Sequence, residues 1–283
     1  MTSEAFSRTL AVTEASTACD ALAGLTGLPK SRVKDCMAKG GVWRRRSGGR
    51  ASRLRRATAA VLPGEKLEIN YDPALLALVP PPPKLVEAAK RWSVWDKPAG
   101  VLSQGTRFAD HCAMPRLAQA LLGSRDEPHP VHRLDREARG LILLAHDGAA
   151  AAALSALFRQ GLVDKEYIVT VKGVPDWTEM TVETELDGRD CRSVFTVLDA
   201  DAGTALLSAR IATGRRHQIR RHLAGIGHPV LGDPRYGRGN ACAAGLQLLA
   251  RSLAFTCPFT RRPHVWTLPA PDFPLPPQPG SRS

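Results

Sequence analysis

The sequence predicts an α+β protein in two parts: a small helix-turn-helix-plus-strands domain, then a larger domain built on a mixed, mostly antiparallel sheet. Three observations carry this. Apolar residues recur at helical spacing early in the chain, and a run of four prolines at 80–83 interrupts it. Beyond that run, strand-like segments come in adjacent pairs with few helices between them. The implied boundaries are 1–75 for the first domain, 76–91 for a stiff Pro-rich linker, 92–273 for the second domain and 274–283 for a frayed Pro/Ser/Gly-rich tail.

The elements follow in order. Residues 18–25 are apolar at helical spacing until Gly27-Leu28-Pro29 breaks the pattern. A second helix starts at Lys30, with Val33, Cys36 and Met37 at i, i+3 and i+4, and stops at Gly40-Gly41. A short strand follows from Gly41, the Arg-rich stretch reads as a loop, and 67–71 alternates as another strand. In the second domain, 92–95, 140–145 and 166–171 are strands and 149–159 is a helix closed by Gly161. Residues 194–198 and 205–211 suit a hairpin, a basic helix lies near 216–224, and 252–256 with 264–268 suit a second hairpin.

Composition narrows the function. With 43% hydrophobic and 23% charged residues over 283, the chain has the make-up of a globular protein with a sizeable core. No window approaches the ~18 apolar residues a membrane span needs, and Glu4, Arg8 and Glu14 interrupt any leader-like segment, so the expected location is the cytosol. Six scattered cysteines without a C-x-x-C pair point to idle thiols rather than disulfides or a thiolate zinc site.

The net charge of +12 is unevenly spread. Residues 30–56 hold eleven Lys and Arg, among them Lys30, Arg32, Lys34, Arg44, Arg45 and Arg46, against Asp35 alone. A second cluster, Arg210, Arg215, Arg216, Arg220 and Arg221, lies beside His217 and His222 with no acid between. Charge concentrated this way is the footprint of a polyanion binder, because each phosphate neutralised releases a condensed counterion.

Several chemistries are excluded. There is no phosphate-binding G-x-x-x-x-G-K-[ST] and no G-x-G-x-x-G after a strand, and Gly100 to Gly105 has one residue too many for a nucleophile elbow at Ser103. The pairs His129/His132 and His217/His222 lack metal-ligand spacing, so no metal is expected. What remains is His132-Arg133-Leu134-Asp135, where Asp135 by itself reads as a turn cap, and Gly214 to Arg220, which by itself is a cationic helix.

Taken together in order, five motifs resemble the RluA-type RNA pseudouridine synthases across residues 92–272. They are Asp96-Lys97-Pro98-Ala99-Gly100-Val101-Leu102, His132-Arg133-Leu134-Asp135, Lys165-Glu166-Tyr167, the 214–223 segment from Gly214 to Leu223, and the 227–237 segment from Gly227 to Gly237. Residues 17–71 resemble the small S-four-like RNA-binding domain found ahead of that catalytic domain. The resemblance implies the pseudouridine synthase fold and an isomerase that breaks the N-glycosidic bond of a uridine in RNA, turns the uracil and rejoins it through carbon five. Such chemistry needs no cofactor.

By the same resemblance Asp135 is the catalytic aspartate, Arg220 the arginine that pairs with it, and Tyr167 the active-site tyrosine that stacks on uracil. A guanidinium beside a carboxylate favours the anion, and a bidentate pair would fix its aim. Arg133 matches the cation that enters the space left by an everted base, while His132 and Leu134 orient the turn. Arg215, Arg216, His217 and Arg221 join the basic residues of the first domain as RNA contacts. Partners follow: structured RNA, ribosomal or transfer, met by a monomer without a membrane.

Ala138 and Arg139 stand where the family has a small hydroxyl residue and Ser, and Ala250 replaces a frequent His. Those changes keep open a non-catalytic RNA-binding or ribosome-assembly protein with the same fold. Glu137 would be the second carboxylate of a glycosidase-like scheme. A DNA-binding role lacks a recognition helix.

Overall fold

The computed structural model describes residues 4–201 and 203–270; the predicted tail at 274–283 lies outside them. The chain divides into two compact units. The first takes in Met1–Pro81 and, from far along the chain, Gln104–Glu127; the second takes in Pro82–Ser103 and the chain from Pro128 onward.

In the first unit, Thr17 caps the Ala18–Thr26 helix by accepting the Asp20 amide at 3.2 Å, and Gly27 ends it in the left-handed region at φ 73°. The Lys30–Ala38 helix follows directly. Both pack onto an antiparallel sheet ordered Phe6–Ala11, Lys66–Tyr71, Val42–Arg45, Ser52–Arg53. Leu22, Val33, Cys36, Met37, Leu67 and Ile69 are sealed from solvent between helices and sheet. Ala109 joins that core, and Asp110 beside it is held by Arg53 and Arg55, with Arg55 Nη1 donating to Oδ1 at 3.0 Å and Arg53 Nε 3.0 Å from Oδ2. Residues 104–127, with their Met114–Leu122 helix, therefore fold with the first unit rather than with the 92–273 domain expected above. The reason is tertiary: a buried carboxylate gains its two cationic partners only there.

Among the described residues of the second unit, ten strands form one sheet. Its order is Glu179–Glu183, Arg192–Asp201, Thr204–Ile211, Val163–Lys172, Leu248–Thr256, Arg139–Ala145, Trp92–Lys97, Lys84–Ala88, with Pro263–Thr267 and His129–Pro130 pairing at the side. All pairings are antiparallel except Arg139–Ala145 with Leu248–Thr256, so the sheet is mixed and mostly antiparallel. The Lys84–Ala88 strand replaces the last part of the expected 76–91 linker. Past the prolines, backbone N–H groups are available again and pair from Lys84↔Asp96 to Ala88↔Ser93. Asp147, itself gripped by Arg91, caps the Gly148–Arg159 helix through the Ala150 amide at 2.8 Å. Among the described residues no helix is long and apolar enough to cross a membrane. Of the six free cysteines, five are buried and Cys242 is half-buried.

Candidate active site

Asp135 sits on a loop between His129–Pro130 and Arg139–Ala145, and three neighbours hold that loop in place. Behind it, His132 stacks on Phe158 with ring centroids 4.4 Å apart and accepts the Leu143 amide at Nε2 at 2.9 Å. Burial pushes this imidazole down to about 3, so it stays a neutral acceptor. One residue before Asp135, the Ser103 hydroxyl donates to the Leu134 carbonyl at 2.7 Å and accepts the Leu134 amide at 2.8 Å. After it, the buried Lys97 ammonium reaches the carbonyls of Val101 at 2.9 Å and Ala138 at 2.6 Å, with those of Pro98 and Arg136 at 3.0 and 3.3 Å. Burial pushes Lys97 down to about 7.

Opposite this loop lies Arg220, on the inward face of the Gln218–Gly225 helix and only 1% exposed. Its Nη1 donates to Asp135 Oδ2 at 2.8 Å. The bidentate pair expected between these two residues is formed elsewhere: Arg220 Nε and Nη2 each donate at 2.7 Å to the two oxygens of Asp233. Asp233 also accepts the amides of Arg235 and Tyr236 at 2.8 and 3.0 Å, so its own loop holds it as well as the arginine does. Burial alone would lower the Arg220 value, but hydrogen bonds to Asp233 and then Asp135 outweigh it and push it above the usual arginine range. Burial likewise works against the Asp233 charge, and the Arg220 hydrogen bond holds it below the usual carboxylate value.

His217 caps the same helix in the left-handed region at φ 54°. Its Nε2 lies 3.6 Å from Asp135 Oδ1 and its Nδ1 is 2.9 Å from the Tyr236 hydroxyl. Burial pushes this imidazole below its usual value despite the Asp135 charge. Tyr167 comes from the Val163–Lys172 strand just after an irregularity in its pairing with Leu248–Thr256, a device that re-aims a side chain beside a site. Burial, and then the Asp135 charge, push its phenol up, so the hydroxyl keeps its proton at neutral pH.

Asp135, Tyr167, Arg220 and His217 line one cavity of about 140 Å³, with the exposed Arg133 and Arg216 and the half-buried Arg215 around it. The other predicted contacts are more dispersed. Arg221 pairs with Asp187 at 2.9 Å, and Lys30 with Asp20 at 2.6 Å. Arg32, Lys34, Arg45 and Arg46 are exposed on the first unit. Arg44 departs from its expected role: its guanidinium is half-buried against Glu65 at 2.5 Å, because the strand turns that side chain toward its neighbour. Glu137 pairs with Arg136 at 3.4 Å and is not among the residues lining the cavity.

Asp233, Lys97 and Ser103 escaped the sequence reading as site residues. The first two lie inside quoted motifs, but their partners are far along the chain. Chemically, the cavity offers a carboxylate hydrogen-bonded to a fixed guanidinium, a neutral phenol, and cations for phosphate.

Residues 91–225 match the family model for RNA pseudouridylate synthase. An uncharacterized RNA pseudouridine synthase of Zymomonas mobilis is 35% identical over 159 residues, covering 50% of this chain and 73% of that protein. The dual-specificity RNA pseudouridine synthase RluA of Escherichia coli O157:H7 is 33% identical over 187 residues, covering 58% and 83%. Among solved structures, human RNA pseudouridylate synthase domain containing 4 aligns with a TM-score of 0.56 at 25% identity, over 67% of this chain and 89% of that one.

Proposed function

The chain belongs to the RluA-type family of RNA pseudouridine synthases, enzymes that isomerise uridine to pseudouridine, and we propose that Asp135 is the carboxylate that drives the reaction here. In the isomerisation the bond from ribose C1′ to uracil N1 breaks and a bond from C1′ to C5 forms. The C5 proton departs and N1 gains one, so no atom is lost from the RNA. Asp135 acts as the anion beside the sugar, attacking C1′ or assisting a glycal-like intermediate. Arg220 aims it, and Tyr167 stacks on the uracil as a neutral phenol.

The uridine must leave its stack to reach the cavity, at a cost of a few kcal/mol that is least in a loop or bulge. Arg133, exposed beside Asp135, fills the space the base vacates. Arg215, Arg216 and His217 receive the phosphates around the target, while Lys30, Arg32, Lys34, Arg45 and Arg46 form the docking face of the first unit. Phosphate contacts position without reading sequence, so these residues recruit structured RNA, ribosomal or transfer, in the cytoplasm.

The observation that carries this reading is the 2.8 Å contact of Arg220 with Asp135 inside a cavity that also holds Tyr167. The Asp135→Asn variant is expected to lose pseudouridine formation while still binding RNA. Carbodiimide labelling with primer extension on RNA from a deletion strain, complemented with either form, reads the modified site. A modification map unchanged by the substitution would overturn the assignment.

A further inference from the structure

The outer face of the first unit's sheet carries a cleft of about 190 Å³ that plays no part in the catalytic reading. Strand register sets which side chains share that face. Arg45, Lys66 and Ala11 stand directly opposite one another in one cross-strand row, and Arg53, Trp43, Glu68 and Thr9 in the next. The alternate positions Val42, Leu67 and Ile69 point the other way, into the core beneath the helices.

Within the same unit, residues 106–107 close one end of this face. Trp43 Nε1 donates to the Arg107 carbonyl at 2.9 Å, and Arg53 Nη2 donates to the Thr106 carbonyl at 2.6 Å. The Arg53 guanidinium also lies 4.4 Å from the Trp43 ring centroid, so the indole is held in place while it lines the cleft half-buried.

Charge decides what the open end takes. The charged residues lining the cleft are Arg44, Arg45, Lys66 and Glu68. Arg44 belongs to the inner-facing set and pairs with Glu65 at 2.5 Å, and Glu68 accepts Arg107 at 2.6 Å, so both are answered within the fold. Arg45 and Lys66 are exposed, and among the described residues neither has an ion pair. Like charges directly opposite across an antiparallel pair destabilise a sheet, and an anion between them removes that cost. A cation pair beside an aromatic ring suits an unpaired nucleotide, with phosphate on the cations and base on the ring.

We propose that this cleft is a subsite for one single-stranded nucleotide of RNA: its phosphate lies between Arg45 and Lys66, and its base packs on Trp43. The inference rests on the reading of the first unit as an RNA-docking face, and it joins Trp43 and Lys66 to Arg45 as one site.

The test is filter binding of total RNA, taken from cells lacking the enzyme, to the full chain across a salt series. Arg45→Met and Lys66→Met keep the aliphatic stems and are each expected to weaken binding about tenfold. The double variant is expected to lower the salt slope by about 1, as for one lost phosphate contact. Trp43→Leu is expected to weaken binding about tenfold with the slope unchanged, and Trp43→Phe to restore most of it. Because Arg45 and Lys66 are exposed, their variants answer even if Trp43→Leu fails to fold. Unchanged affinity in the double variant overturns the subsite. A slope change near 2 overturns the shared phosphate, and full binding by folded Trp43→Leu overturns the stacked base. If the unsubstituted chain binds no RNA, the docking reading itself fails and takes the subsite with it.

Discussion

Arg220 divides its guanidinium unequally: two hydrogen bonds tie it to Asp233 and one is left for Asp135. The fork goes to the fully buried Asp233, and the single bond to the partly exposed Asp135, the residue proposed to meet substrate. Asp233→Asn weakens the fork and lets the arginine swing. A displacement near 1 Å costs about a hundredfold in rate, so the rate of pseudouridine formation should fall by about that factor. The denaturant midpoint should drop as well, since breaking a buried ion pair destabilises by about 3–5 kcal/mol.

His132 makes a different prediction. An unfolded histidine protonates near 6.5, whereas burial holds His132 down to about 3 in the fold. Between those values the unfolded chain binds a proton that the native chain refuses. Stability is thus present above pH 6.5 and is lost as pH falls toward 3, by up to about 1.4 kcal/mol per pH unit from this group. Guanidinium midpoints at pH 7 and pH 5 should therefore fall more steeply for the natural chain than for His132→Gln. Equal pH slopes would contradict the buried neutral imidazole.

At the scale of elements, local signals and long-range pairing split the outcome. Helix starts and stops were legible because their causes are local, as with the stop at Gly27. The strands Phe6–Ala11 and Lys84–Ala88 were not, because they are largely exposed and lack the alternation that marks a half-buried strand, while Glu179–Glu183 does alternate but offers only Met180 and Val182 as apolar positions, too short a signal to stand out. Gly140 shows the other side. It sits at φ 116° where Arg139–Ala145 meets Leu248–Thr256 in parallel, and a Cβ there would strike the Ala250 backbone. Gly140→Ala is expected to lower stability by about 2 kcal/mol or more, from backbone strain with a clash added, read as a lower unfolding midpoint. An unchanged midpoint would mean that the parallel pairing relaxes easily.

At the scale of the molecule, the chain passes between its two units three times, at Pro81/Pro82, Ser103/Gln104 and Glu127/Pro128. The first unit is therefore not a bead that can be cut off at one linker. Removing residues 1–75 strips the partners from Ala109 and leaves Asp110 without Arg53 and Arg55. Limited proteolysis of that truncated chain should cut within 104–127, whereas the full chain resists there. Equal protection in both would show that the segment holds its fold alone.

The three residues proposed for catalysis, Asp135, Tyr167 and Arg220, could be picked out in the sequence because each carries a recognisable neighbourhood, and the structure brings all three to one cavity. The α+β class was legible for a similar reason, since periodicity is local. The partnership of Arg220 with Asp233, the grip of Lys97 on the loop behind Asp135, the commitment of Arg44 to Glu65 and the capture of 104–127 by the first unit were settled only in three dimensions. Each depends on which buried charge finds which partner, and that choice follows from desolvation in the packed interior, a quantity no stretch of chain possesses before it folds.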